Sequence, residues 1–184
     1  IEEVEQRFAQ VFGRRYPGLV EAVQCEDADY VLVTLGSAAG LVRTVVESLR
    51  AQGLRVGLLR IRYLRPLPTV VLAAALGNAK AVAVLEKDVS FGAEGTVFTN
   101  VNSALQQAGV RVPTYDFIGG LGGDDITPVQ VEAIFRTLVR FVSEGAEVPR
   151  VSFLGIDGPP GDAASAASPK DLASDACRNV KEEN

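Results

Sequence analysis

The stretch Ala81-Val82-Ala83-Val84-Leu85-Glu86-Lys87-Asp88-Val89-Ser90-Phe91-Gly92-Ala93-Glu94-Gly95 runs from unbroken apolar sequence into a charged, Gly-containing break. Val97, Phe98, Val101 and Leu105 then recur at helical spacing. Strand, loop, helix is the order this predicts. In an open α/β sheet such a loop lies at the carboxyl end of a strand, where ligands and partners are usually met.

On either side the same alternation repeats. Tyr30-Val31-Leu32-Val33-Thr34-Leu35 reads as a strand, and Gly36-Ser37 turns it into a helix with Leu41, Val42, Val45, Val46 and Leu49 at helical spacing. Ser37 is placed to be the N-cap, and Gly53 follows the last turn. Residues 55–60 form the next strand and lead into Ile61-Arg62-Tyr63-Leu64-Arg65-Pro66-Leu67-Pro68, whose prolines forbid a smooth continuation. A short helix over Thr69 to Leu76 is closed by Gly77-Asn78. Downstream, residues 110–117 resume as strand, interrupted by Pro113, and residues 119–125 make a Gly-rich turn. Thr127-Pro128-Val129-Gln130 combines an N-cap, Pro at the first helical position and Gln three residues after the cap. Val131, Ile134, Phe135, Leu138 and Val142 give that helix its buried stripe.

The strands are apolar almost throughout rather than alternating, as in a parallel sheet covered on both faces. The expected fold is therefore α/β: three layers, α/β/α, around a mostly parallel, doubly wound sheet of about five strands. Residues 1–29 are expected as a helix plus an irregular bridge, with Val4, Phe8, Val11 and Phe12 on one helical face and Gly13 ending it. Residues 30–154 form the α/β domain. Residues 155–184 read as a Gly/Pro/Ala/Ser-rich tail, flexible or wrapped on a partner. The chain opens on Ile1 already in helical register, as an internal fragment would.

With 184 residues, 47% of them hydrophobic and 22% charged, the chain can fill one core. A net charge of −5 argues against a nucleic-acid or anionic membrane surface. No apolar run approaches the roughly 18 residues of a membrane helix. Cys25 and Cys177 lie far apart and form no zinc or iron–sulfur spacing, so a reducing, cytoplasmic location is expected. The chain has no His, which removes Ser-His and Cys-His chemistry.

Each candidate site also has a plain structural reading. The Gly119-Gly120-Leu121-Gly122-Gly123-Asp124-Asp125 turn offers backbone N–H groups, yet it lacks a P-loop ending, and its aspartates repel phosphate. The simpler account is a sharp turn with Asp near a helix start. Gly36-Ser37-Ala38-Ala39-Gly40 is either an anion seat or an ordinary cap. Arg60, Arg62 and Arg65 either clamp an anion or pair with acidic groups across a subunit boundary. Glu86, Asp88 and Glu94 offer carboxylates, and Glu94 is well placed to satisfy the dipole of the following helix.

Taken together, Val31 through Gly40, Gly57 through Pro68, Ala81 through Gly95 and Gly120 through Thr127 resemble, in order, one known region. It is the C-terminal part of the alpha subunit of pyruvate:ferredoxin oxidoreductase and related 2-oxoacid:ferredoxin oxidoreductases. Ser90-Phe91-Gly92-Ala93-Glu94-Gly95 and Arg65-Pro66-Leu67-Pro68 are the more specific pieces, and the first looks more like the pyruvate branch. The resemblance implies a fold like the C-terminal domain of transketolase. It also implies a complex that oxidatively decarboxylates pyruvate with coenzyme A, reducing ferredoxin and using thiamine diphosphate, Mg²⁺ and [4Fe–4S] clusters. The Gly-Asp-Gly…Asn and Cys-rich motifs that hold those groups are missing here, so no catalytic residue carries over. None of the cofactors is expected on this chain alone. The expected role is structural and assembly, with an alpha N-terminal domain, beta, gamma and ferredoxin-like delta subunits as partners. Ser37, Gly40, Arg62, Arg65, Ser90, Phe91, Glu94, Gly122 and Asp124 are the candidate interface or ligand-path residues. A free-standing nucleotide- or coenzyme A-binding module and a regulatory partner domain are the alternatives.

Overall fold

Six strands pair in the order β1-β3-β2-β4-β5-β6 in the computed structural model, which describes residues 1–155. They are β1 (Val20–Val23), β2 (Tyr30–Leu35), β3 (Val56–Ile61), β4 (Ala81–Glu86), β5 (Thr114–Ile118) and β6 (Val151–Phe153). Only β1 runs antiparallel, against β3; every other pairing is parallel. The helices are α1 (Glu2–Phe12), α2 (Ala38–Ala51), α3 (Thr69–Leu76), α4 (Thr96–Gln107) and α5 (Pro128–Glu144). The layered α/β expectation holds, with six strands rather than five. The bridge expected over residues 14–29 contains β1. All of the expected tail but Gly155 lies outside the described residues, as does Cys177.

The pleat sends successive side chains to opposite faces, so each central strand fills two cores. Leu32, Leu58, Ala83 and Leu85 point to the cluster formed with Val42, Val46 and Leu49 of α2 and Ile134, Phe135 and Leu138 of α5. Val31, Val33, Leu59, Val82 and Val84 point to the cluster formed with Leu72 and Leu76 of α3 and Phe98, Val101 and Leu105 of α4. Each fully buried Leu, Val or Phe contributes about 1.5–3 kcal/mol of transfer free energy. That double burial explains the uninterrupted apolar runs.

The α1 helix forms as expected, but no residue of it is buried, and Val4, Val11 and Phe12 face outward. It is held by the Glu5–Arg62 ion pair and by Phe8, whose ring meets those of Phe12 and Tyr16. Ser37 stands at the N-cap position of α2, yet its side chain makes no capping bond. Thr127 does cap α5: its Oγ1 accepts the Gln130 N–H, and Gln130 Oε1 accepts the Thr127 N–H at 2.8 Å. Thr127→Ala is expected to lower stability by about 1 kcal/mol. A urea titration checks this, and an unchanged midpoint would show that the reciprocal cap contributes nothing.

Candidate functional site

The chain leaves β2 toward β3 on one side, while β4 sits on the other. The carboxyl ends of β2 and β4 therefore flank the point where winding reverses, and a crevice opens there in doubly wound sheets. One does so here, about 360 Å³ in volume, lined by Thr34, Leu35, Gly36, Ser37, Glu86, Lys87, Asp88, Val97 and Ile126 among others. Its floor is pinned by the buried Thr34 hydroxyl, which donates to the Leu85 carbonyl across the two strands at 2.8 Å.

The 87–95 loop rises from one wall of this crevice and is anchored by carboxylates. Glu86, 4% exposed, ends β4 and accepts the N–H of Val97 on Oε2 at 2.7 Å and of Phe98 on Oε1 at 2.8 Å. Asp116 is completely buried in β5 and accepts the Gly95 N–H on Oδ2 at 2.8 Å. Asp88 takes the Thr96 N–H at 3.4 Å. The free donors of the first turn of α4 are thus met by side chains from outside the helix. Gly95 makes this possible because it has no Cβ: a methyl there would lie 2.7 Å from Glu86 Oε2 and closer still to Oε1. The loop closes on itself through the Ser90 N–H to Glu94 carbonyl bond. Lys87 runs alongside Gly120, bringing the loop against the Gly-rich turn after β5.

Burial acts on both inner carboxyls, and neighbouring negative charges add to it. Desolvation, first, and then the proximity of Asp116 push Glu86 up to about 8. Desolvation also lifts Asp116, to about 6, with the charges of Glu94 and Asp88 adding to it.

Of the residues expected at an interface or ligand path, the structure groups some and separates others. Ser37 lines the crevice with Lys87 and Asp88, Gly40 lies one turn along α2, and Ser90 sits further along the loop, outside the lining. Gly122 and Asp124 occupy the adjoining turn, which includes a single 3-10 turn over Leu121–Gly123. Phe91 is wholly exposed on the loop; Leu35, on the crevice lining, and Leu121, in the turn after β5, are exposed as well. Arg62 and Arg65 do not join them. Arg62 binds Glu5 and the Gly18 carbonyl and stacks on Tyr16 and Tyr63, whereas exposed Arg65 donates to the Leu64 carbonyl. Arg60 pairs with Glu21 on β1, so no three-arginine clamp exists. Glu94 does not cap α4; Arg150 holds its carboxylate and lies over the Phe98 ring. Asp124 bonds the Asp125 N–H rather than a helix start. Sequence reasoning passed over Asp116, whose signal is one acid inside the apolar run Tyr115-Asp116-Phe117-Ile118.

Among the described residues, the one thiol does not suit an iron–sulfur cluster. Ligation needs a thiolate, and the Cys25 thiol is pushed up to about 11 by burial while it donates to the Leu58 carbonyl. Among the described residues no group of three or more His, Cys, Asp or Glu is arranged to hold a metal ion, and no helix is long and apolar enough to cross a membrane. The crevice pairs a hydroxyl with a cation and carboxylates. It can bind or dock, but among the described residues nothing activates the Ser37 hydroxyl.

Comparisons with known proteins agree with this architecture. The model of the family described as pyruvate:ferredoxin oxidoreductase core domain II matches residues 28–131, from just before β2 into α5. Pyruvate synthase subunit PorA of Methanothermobacter thermautotrophicus is 43% identical over 136 residues, 74% of this chain and 34% of that relative. Ketoisovalerate oxidoreductase subunit VorA of Pyrococcus horikoshii is 39% identical over 145 residues, 79% of this chain and 37% of the relative. The chain thus spans about a third of the length of these relatives. Among solved structures, the 2-oxoglutarate:ferredoxin oxidoreductase of Magnetococcus marinus aligns with a TM-score of 0.51 at 23% identity, covering 73% of this chain and 21% of that one. A split-gene transketolase aligns with a TM-score of 0.54 at 18% identity, covering 70% and 44%. Those two likenesses speak to the fold. The family match covers the strands and loops on both sides of the crevice, and with it the chain belongs to the pyruvate:ferredoxin oxidoreductase core domain II family.

Proposed function

We propose that this chain is the docking domain of a cytoplasmic, multisubunit 2-oxoacid:ferredoxin oxidoreductase and acts only within that complex. Pyruvate is the 2-oxoacid we assign, on the Ser-Phe-Gly-Ala-Glu-Gly form of the loop and the relatives named pyruvate synthase. The complex would convert pyruvate, coenzyme A and oxidised ferredoxin to acetyl-CoA, carbon dioxide and reduced ferredoxin. Thiamine diphosphate, Mg²⁺ and the [4Fe–4S] clusters would be held by its other domains and subunits.

The observation that carries this reading is the wholly exposed Phe91, on a loop anchored by two buried carboxyls. A fully solvated aromatic on a fixed loop is a natural anchor for a neighbouring surface. Phe91→Glu is expected to weaken association with the cognate subunits at least tenfold, about 1.4 kcal/mol, while leaving the circular dichroism of the chain unchanged. Co-purification and turnover of the assembled enzyme read this out. Normal assembly and activity of the variant would overturn the reading.

The crevice between β2 and β4 favours one other reading, a small-ligand module that takes a nucleotide or coenzyme A through Ser37 and Lys87. Calorimetry on the chain with those ligands separates the two, because a docking domain gives no heat of tight binding.

A further inference from the structure

Four carboxylates surround the first turn of α4, and among the described residues no cation is bonded to the inner two. Glu86 comes from β4, Asp116 from β5, Asp88 from the loop between β4 and α4, and Glu94 from the residue before Gly95. Arg150, the cation from the β6 side, forms its ion pair with Glu94. Lys87 extends past Gly120. A helix N-terminus supplies roughly half a positive charge, too little to hold two enclosed anions side by side.

The geometry also leaves one acceptor empty. Asp116 Oδ2 is bonded by Gly95, but Asp116 Oδ1 is enclosed and receives no donor from the described backbone or side chains. The Glu86 carboxyl faces it from the paired strand β4, packed against the other side of Gly95, with Asp88 beside it. It can donate only as the acid, and its oxygens can still accept the Val97 and Phe98 N–H bonds in that form. Gly95 lies between the two groups, its N–H on Asp116 and its missing Cβ making room for Glu86.

We propose that Glu86 and Asp116 share a single proton, and that this proton latches the 87–95 loop: bound, it fastens the loop to the strand ends; released, it leaves two facing anions that loosen the first turn of α4 and free the loop. The device needs no ligand and no metal. It would make presentation of Phe91 depend on proton occupancy, and to that extent it rests on the docking reading above.

The test uses the 184-residue chain without any partner, so its failure is distinct from a failure of docking. Infrared spectroscopy across pH is expected to show a buried, protonated carboxyl C=O band at pH 7. The band disappears as pH passes about 8. It is absent in Glu86→Gln and moves to lower pH in Asp116→Asn. Because the chain has no Trp, Phe91→Trp provides a lone emission probe on the loop. Its anisotropy is expected to fall with the midpoint of the band. Absence of a protonated carboxyl above pH 6 in the unmutated chain would overturn the shared proton, whether or not the variants fold. A titrating band with constant anisotropy would overturn the latch.

Discussion

Replacing Gly95 with alanine is expected to destabilise the fold by about 3 kcal/mol, although Gly95 has the ordinary extended conformation φ −69°, ψ 156°. The cost is therefore one of space. The new methyl would press on the Glu86 carboxyl, and that carboxyl cannot retreat without abandoning the N–H groups of Val97 and Phe98. Overpacking alone typically costs about 1–3 kcal/mol, and an orphaned buried donor costs a similar amount. A double-mutant cycle isolates the cause. Against a Glu86→Ala background the same Gly95→Ala change should cost at least about 1 kcal/mol less, because the opposing atoms are gone. Urea titrations of the four chains measure this; strictly additive losses would show that Gly95 is needed for some other reason.

Stability of the chain is expected to fall by about 5 kcal/mol between pH 5 and pH 9. In the unfolded chain Glu86 and Asp116 lose their protons near 4.5 and 3.8, whereas the fold holds them to about 8 and about 6. Between those limits the folded state binds more protons than the unfolded one, so raising the pH favours unfolding. The contribution is full below about pH 4 and gone once pH passes about 8. Glu21 works in the opposite sense: a hydrogen bond from Arg43 holds it below its usual range, so its contribution is lost only in acid. The alkaline slope therefore belongs to the buried pair. Glu86→Gln, which cannot ionise, should flatten that slope by half or more. Denaturation midpoints at a series of pH values decide it, and a wild-type curve level from pH 5 to 9 would contradict the expectation.

Most of the fold was legible because its central strands are buried twice over. Val31, Val33, Val82 and Val84 serve one core while Leu32, Ala83 and Leu85 serve the other, and an apolar run is the direct trace of that arrangement. The start of α5 was legible for a local reason: the cap, the proline and the returning glutamine all lie within four residues. Strand β1 was not. Val20-Glu21-Ala22-Val23 is short, carries a charge, and becomes a strand only by pairing with β3, about forty residues away in sequence. The carboxyl cluster was half legible. Glu86 and Asp88 announce themselves beside the loop, but Asp116 reaches it through the register of two parallel strands, with Val84 opposite Asp116. The arginines misled for the same reason: an extended segment suggests a common face, while the partners Glu5 and Glu21 arrive from elements that sequence spacing does not place.

Both rims of the described sheet are made from very short strands, four residues in β1 and three in β6. A ribbon of unpaired backbone that brief is a poor template for another polypeptide to zip onto. Strand-by-strand growth between copies of this domain therefore has little edge to start from, a consequence of the lengths of its two outermost strands.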